Sequence, residues 1–243
     1  MERRYVTIMG FDVGEKNFTI FTDRYEIEKL TRLKKRVVPY QQRYNENGES
    51  TVKFSEFLNQ LACCGERIFM DKFDMTRTDD KKYGKRRLIT NKLLVRLNNY
   101  LDGLNRGGIL DEIDYFLIEE QVKRAENNRQ IQFHLRGYLI GLFLDFRPIV
   151  LFPSSFKTRI IGAPKKIMND KKGRLLKMKH ADRKKWAINK AKEILQYRDD
   201  TEGVELLFNK KIHGKGDDCS DCLLEILAFV NLVFIDEKMD VLR

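Results

Sequence analysis

Two apolar runs that end in acid constrain this chain more than any other feature. Tyr5 to Phe11 reads as a strand, and it delivers Asp12 to a strand end flanked by Gly10 and Gly14. Tyr115-Phe116-Leu117-Ile118 is a second run, apolar throughout, that ends in Glu119-Glu120-Gln121. Such a run fits a central strand covered on both faces, and a charge at the margin of that core is costly unless paired. A third acidic stretch, Asp217-Asp218-Cys219-Ser220-Asp221, opens the last apolar helix. Asp218 and Asp221 are three apart and share one helix face. Each station has a plainer explanation: a strand-end Asp is common in turns, and acids in a first helical turn complement the helix dipole. Neither explanation covers three acids within five residues. Three carboxylate stations on three element ends predict one shared metal site.

The order of elements follows from periodicity. Val13-Gly14-Glu15-Lys16 turns the first strand into a second at 17–23, and glycine permits the turn. Arg67 to Phe73 reads as a third strand. Leu88 to Leu104 sets Leu93, Leu97, Leu101 and Leu104 on one side, a helix ended by Gly107-Gly108. The apolar strand at 114–119 follows. Glu126 to Phe146 predicts a helix apolar round most of its circumference and buried on two sides. One side faces the sheet, and the other faces either a second subunit or the 25–65 segment. Ile149 to Phe152 is a fifth strand, closed by Pro153. Beyond it, Gly162, Pro164 and Gly173 predict loop, Ala181 to Tyr197 predicts helix, and Asp217 to Ile235 is the final helix. Residues 25–65 read as an insertion over the core, with Phe54, Phe57, Leu58 and Leu61 at helical spacing. Thr76 to Arg87 reads as a charged loop, and 199–214 matches no element. Strands alternating with helices imply an α/β domain with a partly parallel sheet, and 243 residues suit one domain with insertions.

Charge narrows the function. The chain carries 47 basic and 36 acidic residues, a net +11. Residues 157–192 alone hold fourteen Lys or Arg against Asp170 and Asp182, so the remainder is close to neutral. A basic segment on a near-neutral body is the footprint of a nucleic-acid binder. No apolar run nears the ~18 residues that span a bilayer, and Met1-Glu2-Arg3-Arg4 leads straight into strand-like sequence, so neither membrane anchoring nor a signal peptide is expected. Four cysteines, two of them adjacent, make a poor disulfide framework and point to a reducing compartment. The expected location is intracellular, in cytoplasm or nucleus. Cys219 and Cys222 read as helix-packing residues, and His134 as a packed histidine.

Phosphodiester hydrolysis needs an activated water and a stabilised leaving oxygen. Two Mg²⁺ ions about 3.5–4 Å apart accomplish both, and Mg²⁺ takes oxygen ligands from Asp and Glu. The acid stations and the basic segment therefore predict a magnesium-dependent nuclease site, with Mn²⁺ able to substitute and no small-molecule cofactor.

Three stretches carry a resemblance: Gly10-Phe11-Asp12-Val13-Gly14, Ile118-Glu119-Glu120-Gln121, and Asp217-Asp218-Cys219-Ser220-Asp221-Cys222-Leu223-Leu224. Together they resemble RuvC-type Holliday junction resolvases of the RNase H-like superfamily, closest to the poxvirus-type and fungal mitochondrial branch. Pro153-Ser154-Ser155-Phe156-Lys157, with Lys165-Lys166, resembles that family's lysine-bearing segment. The resemblance implies an RNase H-like fold, a five-stranded mixed sheet with its first three strands antiparallel and helices flanking it. It implies catalytic and metal-binding roles for Asp12, Glu119 rather than Glu120, Asp218 and Asp221, with Asp217 ranked below them. Lys157 would stabilise the pentacovalent phosphate. It also implies a homodimer that nicks two opposed strands of a four-way DNA junction, and it points to a large DNA virus. Gln121, Lys123, Arg124, Asn128 and Arg129 lie beside the acids in sequence and are candidate phosphate contacts, as are Lys165, Lys166, Arg183, Lys184 and Lys185. Two other readings stay open: another RNase H-like nuclease, acting on RNA–DNA hybrids or other branched DNA, and a non-catalytic nucleic-acid-binding protein.

Overall fold

Alternation along β1 (Tyr5–Asp12) sends its side chains into two different cores. Val6 and Ile8 enter one, and Met9 and Phe11 enter the other, as a side-chain period of two requires. The computed structural model of the protein describes residues 4–76, 89–144, 146–169, 173–208 and 216–238. β2 (Phe18–Glu26) runs antiparallel beside β1, and β3 (Gly65–Phe73) antiparallel beside β2. β4 (Tyr115–Glu120) and β5 (Ile149–Pro153) extend the sheet from the other edge of β1, both parallel. The order is β3-β2-β1-β4-β5. The α/β class, the five-stranded mixed sheet and the flanking helices are as expected.

Helices cover both faces. Gly65 and the strand β3 follow two helices of the insertion, α1 (Ile27–Lys34) and α2 (Val52–Ala62). The Thr51 hydroxyl caps α2 by accepting from the Phe54 amide. On the opposite face lie α3 (Asn91–Arg106) and α4 (Glu126–Phe143), whose Leu97, Leu101, Leu135 and Leu139 meet Phe11, Phe116 and Ile118. The insertion instead packs Leu30, Phe54, Leu58 and Leu61 into the core on the other side. It therefore leaves the outer side of α4 uncovered, and Phe133 and Ile140 are exposed there. Among the described residues the expected second side of α4's burial is not found.

The basic segment corrects another expectation. Pro153 leads into α5 (Ser154–Ile161), and a hairpin of β6 (Lys166–Asn169) and β7 (Arg174–Lys177) precedes α6 (His180–Tyr197). Gly162 ends α5 with a φ of 83°, the left-handed cap that glycine favours. A Cβ there would lie 2.2 Å from the Ser50 hydroxyl. The glycine opens a short link from 162 to 165 between α5 and β6 and holds the insertion against α5, so it marks a brief connection between ordered elements where a longer loop was expected. Gly162→Ala should cost more than about 1 kcal/mol, read as a lowered urea midpoint. α7 (Thr201–Phe208) accounts for part of the unassigned 199–214 stretch; the rest of it from 209, like the charged stretch from 77 to 87, lies outside the described residues.

α8 (Asp217–Val230) is the central helix, buried at every residue from Cys222 to Val230. A large apolar side chain fully buried this way contributes about 1.5–3 kcal/mol. It passes so close to β1 that a Cβ on Gly10 would stand 3.2 Å from the Ile226 side chain. Cys219 and Cys222 are buried in this packing, as expected of structural thiols. Among the described residues no helix is long and apolar enough to cross a membrane.

One buried ion pair clamps the sheet to α6. Arg198 donates to both oxygens of Asp23, at 2.9 and 2.8 Å, and to the Tyr25 hydroxyl at 3.1 Å. Asp23 is fully buried. Arg198→Met strands that carboxylate, and a loss of about 3–5 kcal/mol is expected in urea unfolding.

Candidate active site

Strand register brings the first two acids together. Phe11 pairs with Ile118 across the parallel β1–β4 ladder, so Asp12 and Glu119 are the next residues of neighbouring strands. Both stand at carboxyl ends, where open α/β sheets place ligands. Alternation chooses the face. Leu117 lies in the α8-side core and Ile118 in the other, so Glu119 turns towards α8 and Glu120 away from it. This gives a physical basis for preferring Glu119. α8 supplies Asp218 and Asp221, and one turn further on it supplies Glu225.

Lysines bind these acids. The Lys157 ammonium lies 3.1 Å from Glu119, 3.0 Å from Asp221 and 3.0 Å from Glu225. Lys72, on β3, holds Asp218 at 2.7 Å, and Lys184 holds Asp217 at 2.6 Å. Gln121 donates to Glu119 Oε2 at 3.1 Å. The buried Gln132 side chain accepts from the Gln121 amide at 2.7 Å, and Asn128 donates to the Gln121 side chain at 3.3 Å. Gln121 and Asn128 therefore position Glu119.

The acids carry more negative charge than their surroundings balance. Burial, then the charges of Glu119 and Asp218, raises the Asp12 carboxyl well above the ordinary range. Burial raises Asp221 as well, against the pull of Lys157, and raises Glu225 far more. Glu119 goes the other way: burial opposes ionisation, but Lys157 and hydrogen bonds from Asp12 and Gln121 hold it below the usual range. Burial and Glu119 thus favour the neutral form of Asp12, while Lys157 favours the ionised form of Glu119. Burial disfavours the Lys157 ammonium, yet Glu225, Glu119, Asp221 and Asp12 outweigh it and hold it charged.

This donor set suits a hard divalent cation. It is all oxygen, it is in acidic excess, and one buried oxygen of Glu225 has no hydrogen-bond partner. Asp12, Glu119, Asp218 and Asp221 are the residues that could hold such an ion. Among the described residues no three such side chains form a ready-made metal cage; the point where Glu119, Asp221 and Glu225 meet holds the Lys157 ammonium.

Above the acids opens a cleft of about 410 Å³, with Glu119, Asp221 and Lys157 in its floor and Arg124, His180, Arg183 and Lys184 along its walls. The structure thus gathers four expected acids, Lys157 and three of the expected cations. Lys123 and Lys185 are exposed outside that lining. Arg129 pairs with Glu126 at 3.4 Å and lies over Phe133. Lys166 opens β6 and Lys165 precedes it, and neither lines the acid cleft. Lys157 is only 7% exposed, so this placement supports a counter-ion role over a phosphate contact. Sequence reasoning missed Glu225 and Lys72. An acid interrupting an apolar helix seven residues after Asp218 was the available signal for Glu225; Lys72 carried none.

An uncharacterized protein of Invertebrate iridescent virus 6, 170L, is 34% identical over 123 residues, a match covering 47% of this chain and 49% of that protein. The chain therefore spans about half the length of the curated relative it matches. No protein-family model matches the chain, and no solved structure matches it.

Proposed function

We propose that this protein is a magnesium-dependent endonuclease of RNase H-like, RuvC-resolvase type that nicks branched DNA at four-way junctions. One observation carries the reading. Asp12, Glu119 and Asp221 come from three separate elements and lie close enough to interact, and Glu119 and Asp221 line a cleft that cations wall. The antiparallel β1–β2–β3 unit joined to parallel β4 and β5 supports it too.

Bound Mg²⁺ would supply an activated water and stabilise the leaving oxygen. The chain's own side chains do the rest. Asp12, Glu119, Asp218 and Asp221 present the oxygen donors, with Gln121 and Gln132 fixing the orientation of Glu119. Arg124, Arg183 and Lys184 attract and position the phosphate backbone, a contact that reads no bases. The uncovered apolar side of α4 is the proposed homodimer contact, and two-fold symmetry would then set two sites against a nearly two-fold junction. A viral origin agrees with the iridescent-virus relative.

Incubation with a four-way junction, a flap and an RNA–DNA hybrid in Mg²⁺, followed by mapping of nicks, tests this reading. Paired nicks near the junction centre are expected; nicking of the hybrid alone would transfer the reading to another RNase H-like activity. A non-catalytic scaffold is favoured by one observation, that Lys157, Lys72 and Lys184 already pair the acids. It predicts junction binding without nicking.

The shifted carboxyls predict a pH effect. Asp12, Asp221 and Glu225 keep their protons in the folded state after the unfolded chain has lost them, so the unfolded state binds fewer protons above the ordinary carboxyl range. In chelator, stability should fall as pH rises from that range through the raised values. Mg²⁺ should restore it at the high end and do little at the low end, as thermal unfolding across pH would record.

A further inference from the structure

A second cleft, of about 720 Å³, adjoins the first. The two share Ser155, Thr158 and Arg183, so they run on from each other across α5. Arg159, Lys165 and Lys177 join Arg183 in lining the second cleft, and its lining contains no acid. Among the described residues none of these four cations is in an ion pair. The nearby Glu49 accepts from the Asn45 side chain within its own turn. Tyr40 stands at the rim, 64% exposed, with Tyr44 edge-on at 6.0 Å and the Lys238 ammonium 5.9 Å from its ring centre.

The walls are held in place. The insertion meets the hairpin through Lys165 N–H donating to Asn47 O at 2.8 Å and Asn47 Nδ2 donating to Lys166 O at 2.9 Å. Tyr44 donates to Ile160 O at 2.9 Å, and Ser50 to Ile161 O at 2.8 Å. The insertion thus builds one wall and the basic segment the other. A fixed cationic groove without acidic partners, its Arg159 laid over the Phe156 ring at 4.4 Å, together with an exposed aromatic ring has the chemistry that tracks a phosphate backbone and stacks a base. A duplex buries its base faces in its own stack, whereas unpaired nucleotides can offer one to Tyr40.

We propose that this cleft binds a single-stranded stretch of DNA continuous with the strand in the acid cleft. The preferred substrate is then a branched DNA with unpaired nucleotides beside the branch. The inference rests on the nuclease reading for the identity of the strand in the acid cleft, though binding and nicking can be measured apart.

The test uses the full chain without divalent metal, with fluorescence anisotropy on three probes: a fully paired four-way junction, the same junction with a ten-thymidine single-stranded extension leaving one strand at the branch, and one with a ten-base-pair longer arm. The single-stranded extension should tighten binding about tenfold, and the longer duplex arm should not. Tyr40→Ala with Lys177→Ala should remove that gain. If the double variant unfolds, Tyr40→Leu alone should remove most of it, since the ring is lost while the charge stays. Equal affinity for all three probes, or an equal gain from the duplex arm, overturns the proposal. So does an acidic peptide that displaces the extended probe better than oligothymidine does. Nicking in Mg²⁺ without a single-strand preference would sink this inference alone. A Tyr40-dependent preference without nicking would sink the nuclease reading and leave the cleft's ligand standing.

Discussion

Asp12→Asn, Glu119→Gln and Asp221→Asn should each lower nicking of a four-way junction by about 10³-fold or more, with little change in DNA affinity. Each removes one charged oxygen donor from the proposed metal site while keeping shape and hydrogen-bonding capacity. Asp12→Asn is the cleanest of the three. Burial and Glu119 push Asp12 towards its neutral form, so a neutral amide suits the metal-free pocket and can still donate to Glu119. Its fold should therefore survive, with a thermal midpoint near that of the unaltered protein. Glu119→Gln also removes a partner of Lys157 and should lose some stability alongside activity. Gel analysis of nicked junctions, set beside anisotropy on the same DNA, separates chemistry from binding. A triple variant that still nicks in Mg²⁺ would exclude these acids as the metal site.

Lys157→Met should destabilise the fold by about 3–5 kcal/mol, the largest effect expected from any single change near the site. Its ammonium is the counter-ion of Glu119, Asp221 and the fully buried Glu225. Without it, the ionised Glu119 loses its counter-ion in a poorly solvated pocket shared with Asp221 and Glu225, whose carboxyls burial already pushes towards the neutral form. Two rescues follow. Adding Glu225→Leu should recover much of the loss, because an apolar pair of similar volume avoids the desolvation cost of the ions. Millimolar Mg²⁺ should also raise the urea midpoint of Lys157→Met, by binding the folded state alone. A single variant as stable as the unaltered protein would show that the ammonium does not balance those charges.

Some of this molecule is written in local pattern. The period of two in Tyr5 to Asp12 and the apolar run before Glu119 specify strands. The three-residue spacing of Asp218 and Asp221 specifies a shared helix face. Gly162 and Gly173 do stand in turns, but glycine and proline punctuate a chain without telling how much ordered structure lies between them, and here α5, β6 and β7 do. The hairpin of Lys166–Asn169 and Arg174–Lys177 is too short and too basic to declare itself by periodicity.

The chain's own order of residues determined that acids would stand at the ends of two strands and the start of a buried helix. It also determined that positive charge would gather between 157 and 192. Only the tertiary structure decided that Asp12 and Glu119 sit side by side, that Glu225 and Lys72 join them, and that the insertion covers the α8 side and leaves α4 bare. Periodicity tells each segment which face to bury but not which other segment will cover it. That choice is made by long-range packing, where a glycine such as Gly10 lets one helix approach and a lysine such as Lys157 makes the approach of so many acids tolerable.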